Sequence, residues 1–348
     1  MLNIENIILY CIKQLNGERT IYSIYHLLNG KKSSQTIQDA HLFSLKKFFR
    51  ILESLTRESF DKIIEKIFEK KLIRKCGEQR FLLTPTGDIH LEKIQLPIYI
   101  NGWSYQQTAN LFWERLTLLV QVTSNLVFQE THYIPIQKNK EVHFWLKSTL
   151  KDFHVPRSEI GKLLFSELMD CFEEDKNIDP SFLVFRLTGY QKIGLTPLQM
   201  SQKFKINSID YHIEFINVLH FLIRKVENIH NHSQLLPELL KGLIQDDSLT
   251  QSSRKTWVLL KQGYSIEQIA GFRRLKKSTI EDHIVEFALN VNDFSIDDYV
   301  DNVIQKRILE ISQQTESKQL KLIRNYLEAA SYFQIRLVLA KYGDRQWN

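Results

Sequence analysis

Apolar residues recur every three or four positions through most of the chain, the spacing that gives a helix one buried face. It predicts helices over Ile4–Leu15, Ile21–Leu28 and Ser44–Leu55. Arg57–Phe68 sets Phe60, Ile63, Ile64 and Ile67 on one side and charge on the other, a strongly amphipathic helix. Two short apolar runs follow, Leu72–Lys75 and Arg80–Leu83, around Cys76-Gly77-Glu78-Gln79, and predict a β-hairpin. Helices and then a hairpin is the order of a winged helix, and Thr84-Pro85-Thr86-Gly87 reads as the turn that closes it. Helical spacing resumes over Trp103–Phe128, Glu141–Phe153 and Arg157–Glu174, broken by a loop at Thr131–Asn139 and a polar stretch at Asp175–Pro180. Gln245–Ser253 reads as a linker. The expected fold is mainly α: a winged-helix-like domain over 1–95, a central helical domain over 100–245, and a C-terminal helix-turn-helix domain over 250–345.

Composition supports helices. The 348 residues include 12 Gly and 7 Pro, few enough that long helical runs go unbroken. The net charge of +6 permits a phosphate-bearing partner without requiring one. Cys11, Cys76 and Cys171 lie far apart with no CxxC spacing, which argues against a disulfide framework or zinc site and for a reducing compartment. Met1–Asn16 lacks a basic leader and reads as a helix. Leu116–Phe128 is too short and too polar for a membrane span. A cytoplasmic protein, without membrane attachment, is expected.

Chemistry is harder to find. Asn29-Gly30-Lys31-Lys32-Ser33 superficially resembles a phosphate-binding loop, but the first glycine of that motif would fall on Tyr25, and a helix precedes it where a strand is needed. Ile229-His230-Asn231-His232 has no acidic or cysteine companions and reads as a polar loop. No spacing organises Ser, His and Asp into a triad. Neither an enzyme nor a cofactor is expected. Trp103, Tyr105, Trp113 and Trp145 have helical surroundings that favour core packing over base stacking.

Two helix-turn-helix patterns stand out. In the first, Thr196 caps a helix, Pro197 opens it, Gln199 completes a capping box, and Asn207 caps the next. Its second helix carries Asp210 and Glu214, which repel phosphate. A structural or protein-binding role suits it better than DNA contact. In the second, Ser265 and Gln268 form a capping box. Ile269, Ala270, Leu275, Ile280 and Ile284 face inward. Lys276, Lys277, Ser278, Thr279 and Glu281 then lie at the open end of the second helix, the part that meets base edges or phosphates when such a helix enters a major groove. Arg273 and Arg274 add charge on the turn. A helical hairpin used only to pack or to bind protein is the competing reading. The N-terminal domain offers Arg57, Lys62 and Lys66 on its amphipathic helix and Arg74, Lys75 and Arg80 on its hairpin, although interleaved acids also fit a solvated face.

Leu259–Ala270, Ser278–His283 and Ser331–Ala340 resemble the helicase-type helix-turn-helix domain at the C-terminus of many bacterial RecQ helicases. Over its whole length the chain is similar to the stand-alone YpbB family, which carries that domain without a helicase engine. The resemblance implies a DNA-repair or recombination setting, duplex or junction DNA as ligand, a RecQ-type helicase as partner, and a nucleoid-associated place in the cell. A transcription regulator and a helicase-binding protein adaptor are the alternatives. Two departures stand out: Arg274 replaces the family's turn glycine, and Lys276 replaces the serine before the recognition helix.

Overall fold

The computed structural model describes residues 1–152, 155–229, 235–243, 249–315 and 317–343. These form two compact units, a middle unit of residues 1–7 and 94–245, and a split unit of residues 8–93 and 246–348. The segments read as 1–95 and 250–345 thus contribute to the same unit. His230, Asn231 and His232, and part of the linker stretch, lie outside the described residues.

α1 (Ile4–Leu15), whose first residues count with the middle unit, leads into the N-terminal segment of the split unit, which contains α2 (Tyr22–Asn29), α3 (Ser34–Leu42), α4 (Arg57–Glu69), β1 (Ile73–Gly77), β2 (Arg80–Leu83) and α5 (Pro85–Glu92). α2 stops where Gly30 turns left-handed (φ 72°), and a Cβ there would come within 2.3 Å of the Arg50 side chain. Ser33 then caps α3 by accepting the Thr36 N–H. The expected helix over Ser44–Leu55 does not form. Ser44 and Arg50 adopt left-handed backbone (φ 53° and 61°), and only Lys46–Phe48 makes a 3-10 turn. The apolar residues there still fill the core, with Phe48, Phe49, Ile51 and Leu52 buried, but as an irregular plug. Spacing alone could not separate a plug from a helix face. α4 buries Phe60, Ile64 and Ile67, each contributing about 1.5–3 kcal/mol. β1 and β2 pair antiparallel with Ile73 opposite Leu83. Thr84–Gly87 starts a helix, with Thr84 as cap and Pro85 in the first turn, where its missing N–H costs nothing.

The middle unit holds α6 (Gly102–Tyr105), α7 (Thr108–Val127), α8 (Lys140–Asp152), α9 (Arg157–Glu173), α10 (Ser181–Val184), α11 (Pro197–Phe204) and α12 (Ser208–Glu227). The single helix expected over Trp103–Phe128 is broken at Gln106 and Gln107, where the Gln106 amide donates to the Trp103 carbonyl (3.1 Å) and competes with the backbone ladder. α12 is buried along most of its length. Trp145 is buried and donates to the Glu238 carbonyl (3.0 Å), and Trp113 packs edge-on against Phe215. These aromatics are core. The Glu167 carboxylate accepts the N–H groups of Leu235 and Leu236 (2.9 and 2.8 Å).

The C-terminal segment of the split unit adds α13 (Gln251–Lys261), α14 (Ile266–Arg273), α15 (Lys277–Asn290), α16 (Asn302–Gln314), α17 (Leu320–Tyr326) and α18 (Tyr332–Tyr342). α15 packs against α3, α13, α14 and α18. Among the described residues no helix is long and apolar enough to cross a membrane, and no group of three or more His, Cys, Asp or Glu is placed to hold a metal ion.

His220 of α12 accepts the Asn101 N–H (3.1 Å). Burial, with a smaller push from His212, lowers its imidazole to about 3. The unfolded chain takes up this proton at a higher pH than the folded one. The stability from keeping His220 neutral is therefore complete above the ordinary histidine range and is lost as pH falls towards 3. Urea unfolding at about pH 7.5 and about pH 4.5 should show wild type losing stability relative to His220→Gln on acidification; a gap unchanged between the two would contradict this.

Candidate nucleic-acid interface

α13, α14 and α15 form the helix-turn-helix. Both capping-box bonds of α14 are present, Gln268 N–H to Ser265 Oγ (3.3 Å) and Ser265 N–H to Gln268 Oε1 (2.9 Å). Ile269 is fully buried, and Ala270 and Leu275 are partly so. α14 ends at Arg274, held left-handed (φ 52°, ψ 43°), a conformation that glycine adopts most readily. A side chain in this conformation costs about 1 kcal/mol. Lys276 occupies the cap position of α15 in extended backbone, with no side-chain hydrogen bond to the first turn. Both residues cost local stability, and both put a cation beside the open end of a helix.

From Ile280 onward α15 sinks into the core, with Ile280, His283, Ile284 and Phe287 buried. Lys276, Lys277 and Ser278 are exposed, Thr279 and Glu281 half-buried. Lys277 pairs with Glu267 (2.8 Å), which offsets part of its charge. Arg273 points the other way: its guanidinium donates to the Ser252 carbonyl (2.9 Å), Ser252 Oγ (3.1 Å) and Thr256 Oγ1. It ties α14 to α13. His283, in contact with Thr256 Oγ1 (2.8 Å), is a packing residue whose imidazole burial and Arg273 lower to about 4. The buried Glu286 carboxylate accepts the Thr250 N–H (2.5 Å), Thr250 Oγ1 (3.1 Å) and Ser253 Oγ, fixing the start of α13 against α15.

The N-terminal candidates are more engaged locally. Arg57 lies over the Tyr22 ring (3.9 Å) and near Asp61 (3.9 Å), and Lys62 pairs with Glu58 (2.6 Å). Lys66 also has a partner. Arg74 and Lys75 are exposed on β1, Lys75 lying over Phe68 (5.8 Å). Arg80, on β2, lines one groove with Asp282 of α15. The structure thus brings a hairpin residue to the second helix of the C-terminal motif.

Two features escaped sequence reasoning. Lys255 is exposed one turn along α13 from Ser252, and its place beside the motif exists only in the folded hairpin. The pair α2–α3 is itself a helix-turn-helix, with Gly30 as turn and Ser33 as cap. The signal was available: Lys31-Lys32-Ser33 and Thr36-Ile37-Gln38-Asp39 echo Lys276–Asp282. α3 is buried from Thr36 to Leu42 and so works as a packing helix. In the middle motif, Asp210 and Glu214 accept the N–H groups of Ile4 and Leu2 (2.9 and 2.7 Å), so the chain's own first residues occupy the acids.

Residues 252–339 match the helix-turn-helix domain family. The chain is 36% identical over 340 residues to protein YpbB of Bacillus subtilis (strain 168), covering 96% of each. No solved structure matches it.

Lys276→Ser supplies the missing cap and should raise unfolding free energy by about 0.5–2 kcal/mol. Glu286→Leu leaves buried donors unanswered and should lower it by about 1–3 kcal/mol. Urea titration followed by circular dichroism measures both; a stabilised Glu286→Leu would refute the clamp.

Proposed function

The chain belongs to the YpbB family, and on that premise we propose that it is a non-catalytic DNA-binding accessory protein working beside a RecQ-type helicase in repair or recombination. The observation that carries this is the exposed first turn of α15, where Arg274, Lys276 and Lys277 surround backbone N–H groups with no side-chain cap, inside a matched helix-turn-helix domain. Cations and free N–H groups at a helix N-terminus are what a phosphodiester backbone requires. In this reading Ser278, Thr279 and Glu281 approach base edges. Arg273 positions the turn, with its guanidinium committed to α13. Arg74 and Lys75 add contacts to the duplex backbone, Arg80 meets a strand phosphate from the groove it shares with Asp282, and Arg57, Lys62 and Lys66 contribute general positive potential. The helicase partnership draws on the resemblance of residues 250–345 to the helicase-type domain, and a nucleoid-associated place in the cell is part of the same proposal.

A protein adaptor is the second reading, favoured by one observation. The middle unit carries an apolar groove of about 860 Å³ between α7, α9 and α10, where Phe128, Phe165, Met169, Val184 and Phe185 are exposed. Exposed apolar surface of this kind marks contact with another protein more often than with DNA.

Binding of labelled single-stranded, duplex and forked DNA across a salt series separates the readings. Wild type should bind with log–log salt dependence, and Lys276→Glu/Lys277→Glu should weaken binding about tenfold or more and reduce the slope by about 2. A sharp preference for one duplex sequence would point to a transcription regulator. No binding at low salt would leave the adaptor.

A further inference from the structure

The groove between β2, α3, α15, α17 and α18 of the split unit is polar, about 580 Å³ in volume, within the range of small-ligand sites. Three acids face it, and each has at least one donor, although Asp39 Oδ2 is buried with none. Asp39 pairs with Arg19 (3.0 Å) and Asp282 with Arg336 (2.6 Å). Glu18 accepts the Lys318 backbone N–H (3.0 Å). Two cations on the rim, Arg80 and Lys321, have no ion-pair partner among the described residues. The balance left over is positive.

The interior also holds an unspent donor. Arg336 Nε donates to Gln38 Oε1 (3.0 Å), which fixes the amide's orientation. The amide nitrogen is left without an acceptor, although Gln38 is only 5% exposed. A buried polar group without a partner is uncommon and points to something absent from the free protein. Gln35, Gln319 and Ser34 add further polar groups to the walls.

We propose that this groove takes one phosphorylated nucleotide, its phosphate between Arg80 and Lys321 and its polar edges against the amides of Gln38, Gln35 and Gln319. The proposal deepens the DNA-binding reading, on which the strand source rests: an unpaired nucleotide of a fork would enter the groove while α15 holds the duplex. A free nucleoside monophosphate carries the same chemistry.

The test compares wild type, Arg80→Glu/Lys321→Glu, and Lys276→Glu/Lys277→Glu, all checked for native circular dichroism, on forked DNA, blunt duplex and free dAMP. The Arg80/Lys321 pair should lose about tenfold or more on forked DNA and little on blunt duplex, whereas the Lys276/Lys277 pair should lose on both. Wild type binding dAMP, with that binding lost in the Arg80/Lys321 pair and forked DNA unaffected, would keep the site and assign it to the free nucleotide. An Arg80/Lys321 pair that matches wild type on forked DNA and on dAMP would overturn the proposal, even with duplex binding intact. Wild type binding no DNA at all would defeat the DNA reading, and the dAMP arm would then decide the groove by itself.

Discussion

The buried carboxylate of Glu286 is the interaction on which the C-terminal helix-turn-helix depends. An unanswered charge in a protein interior costs several kcal/mol. Here one backbone N–H and two hydroxyls from the first turn of α13 answer it. Satisfying the charge therefore forces α13 to begin where it does, against the inner face of α15. Arg273 repeats the device from the other side, tying the end of α14 to Ser252 and Thr256. With three helices pinned at one corner, and α3 and α18 packed on the remaining buried face, α15 has only its first turn to present.

That first turn gives up local stability for charge. Arg274 sits in a left-handed conformation that glycine adopts freely, and Lys276 stands where a serine would satisfy an N–H. Lys205 is likewise left-handed between α11 and α12, but Asn207 retains the cap there, and Asp210 and Glu214 are occupied by the chain's own start. One supersecondary pattern thus serves two ends. In the middle unit it is closed by internal hydrogen bonds, and near the C-terminus it is left open and cationic. The α2–α3 pair is a third use, its second helix buried as packing for α15.

Much of this was legible in the residues. The capping boxes at Thr196 and Ser265, the cap at Asn207, the amphipathic α4 and the hairpin all appear where spacing and cap chemistry put them. The failures differ in cause. Ser44–Leu55 has enough apolar residues for a helix face, yet they are buried from every direction and need no periodic backbone. α3 is buried although Gln38 and Asp39 are polar, because Arg336 and Arg19 meet them there. The break within Trp103–Phe128 falls where the Gln106 amide donates to the Trp103 carbonyl.

The sequence by itself determined the local punctuation: where helices start, which face is apolar, and where a turn must pass through left-handed backbone. These follow from interactions between residues three or four apart, which the order of residues already contains. Tertiary structure alone decided which helix ends stay open and which cations remain unpaired. Arg273 is spent on α13, Asp210 and Glu214 on the first residues of the chain, and Arg80 is left over in a groove it shares with α15. Each of these outcomes is a competition among groups far apart in the chain, and only the packed fold sets the distances that settle it.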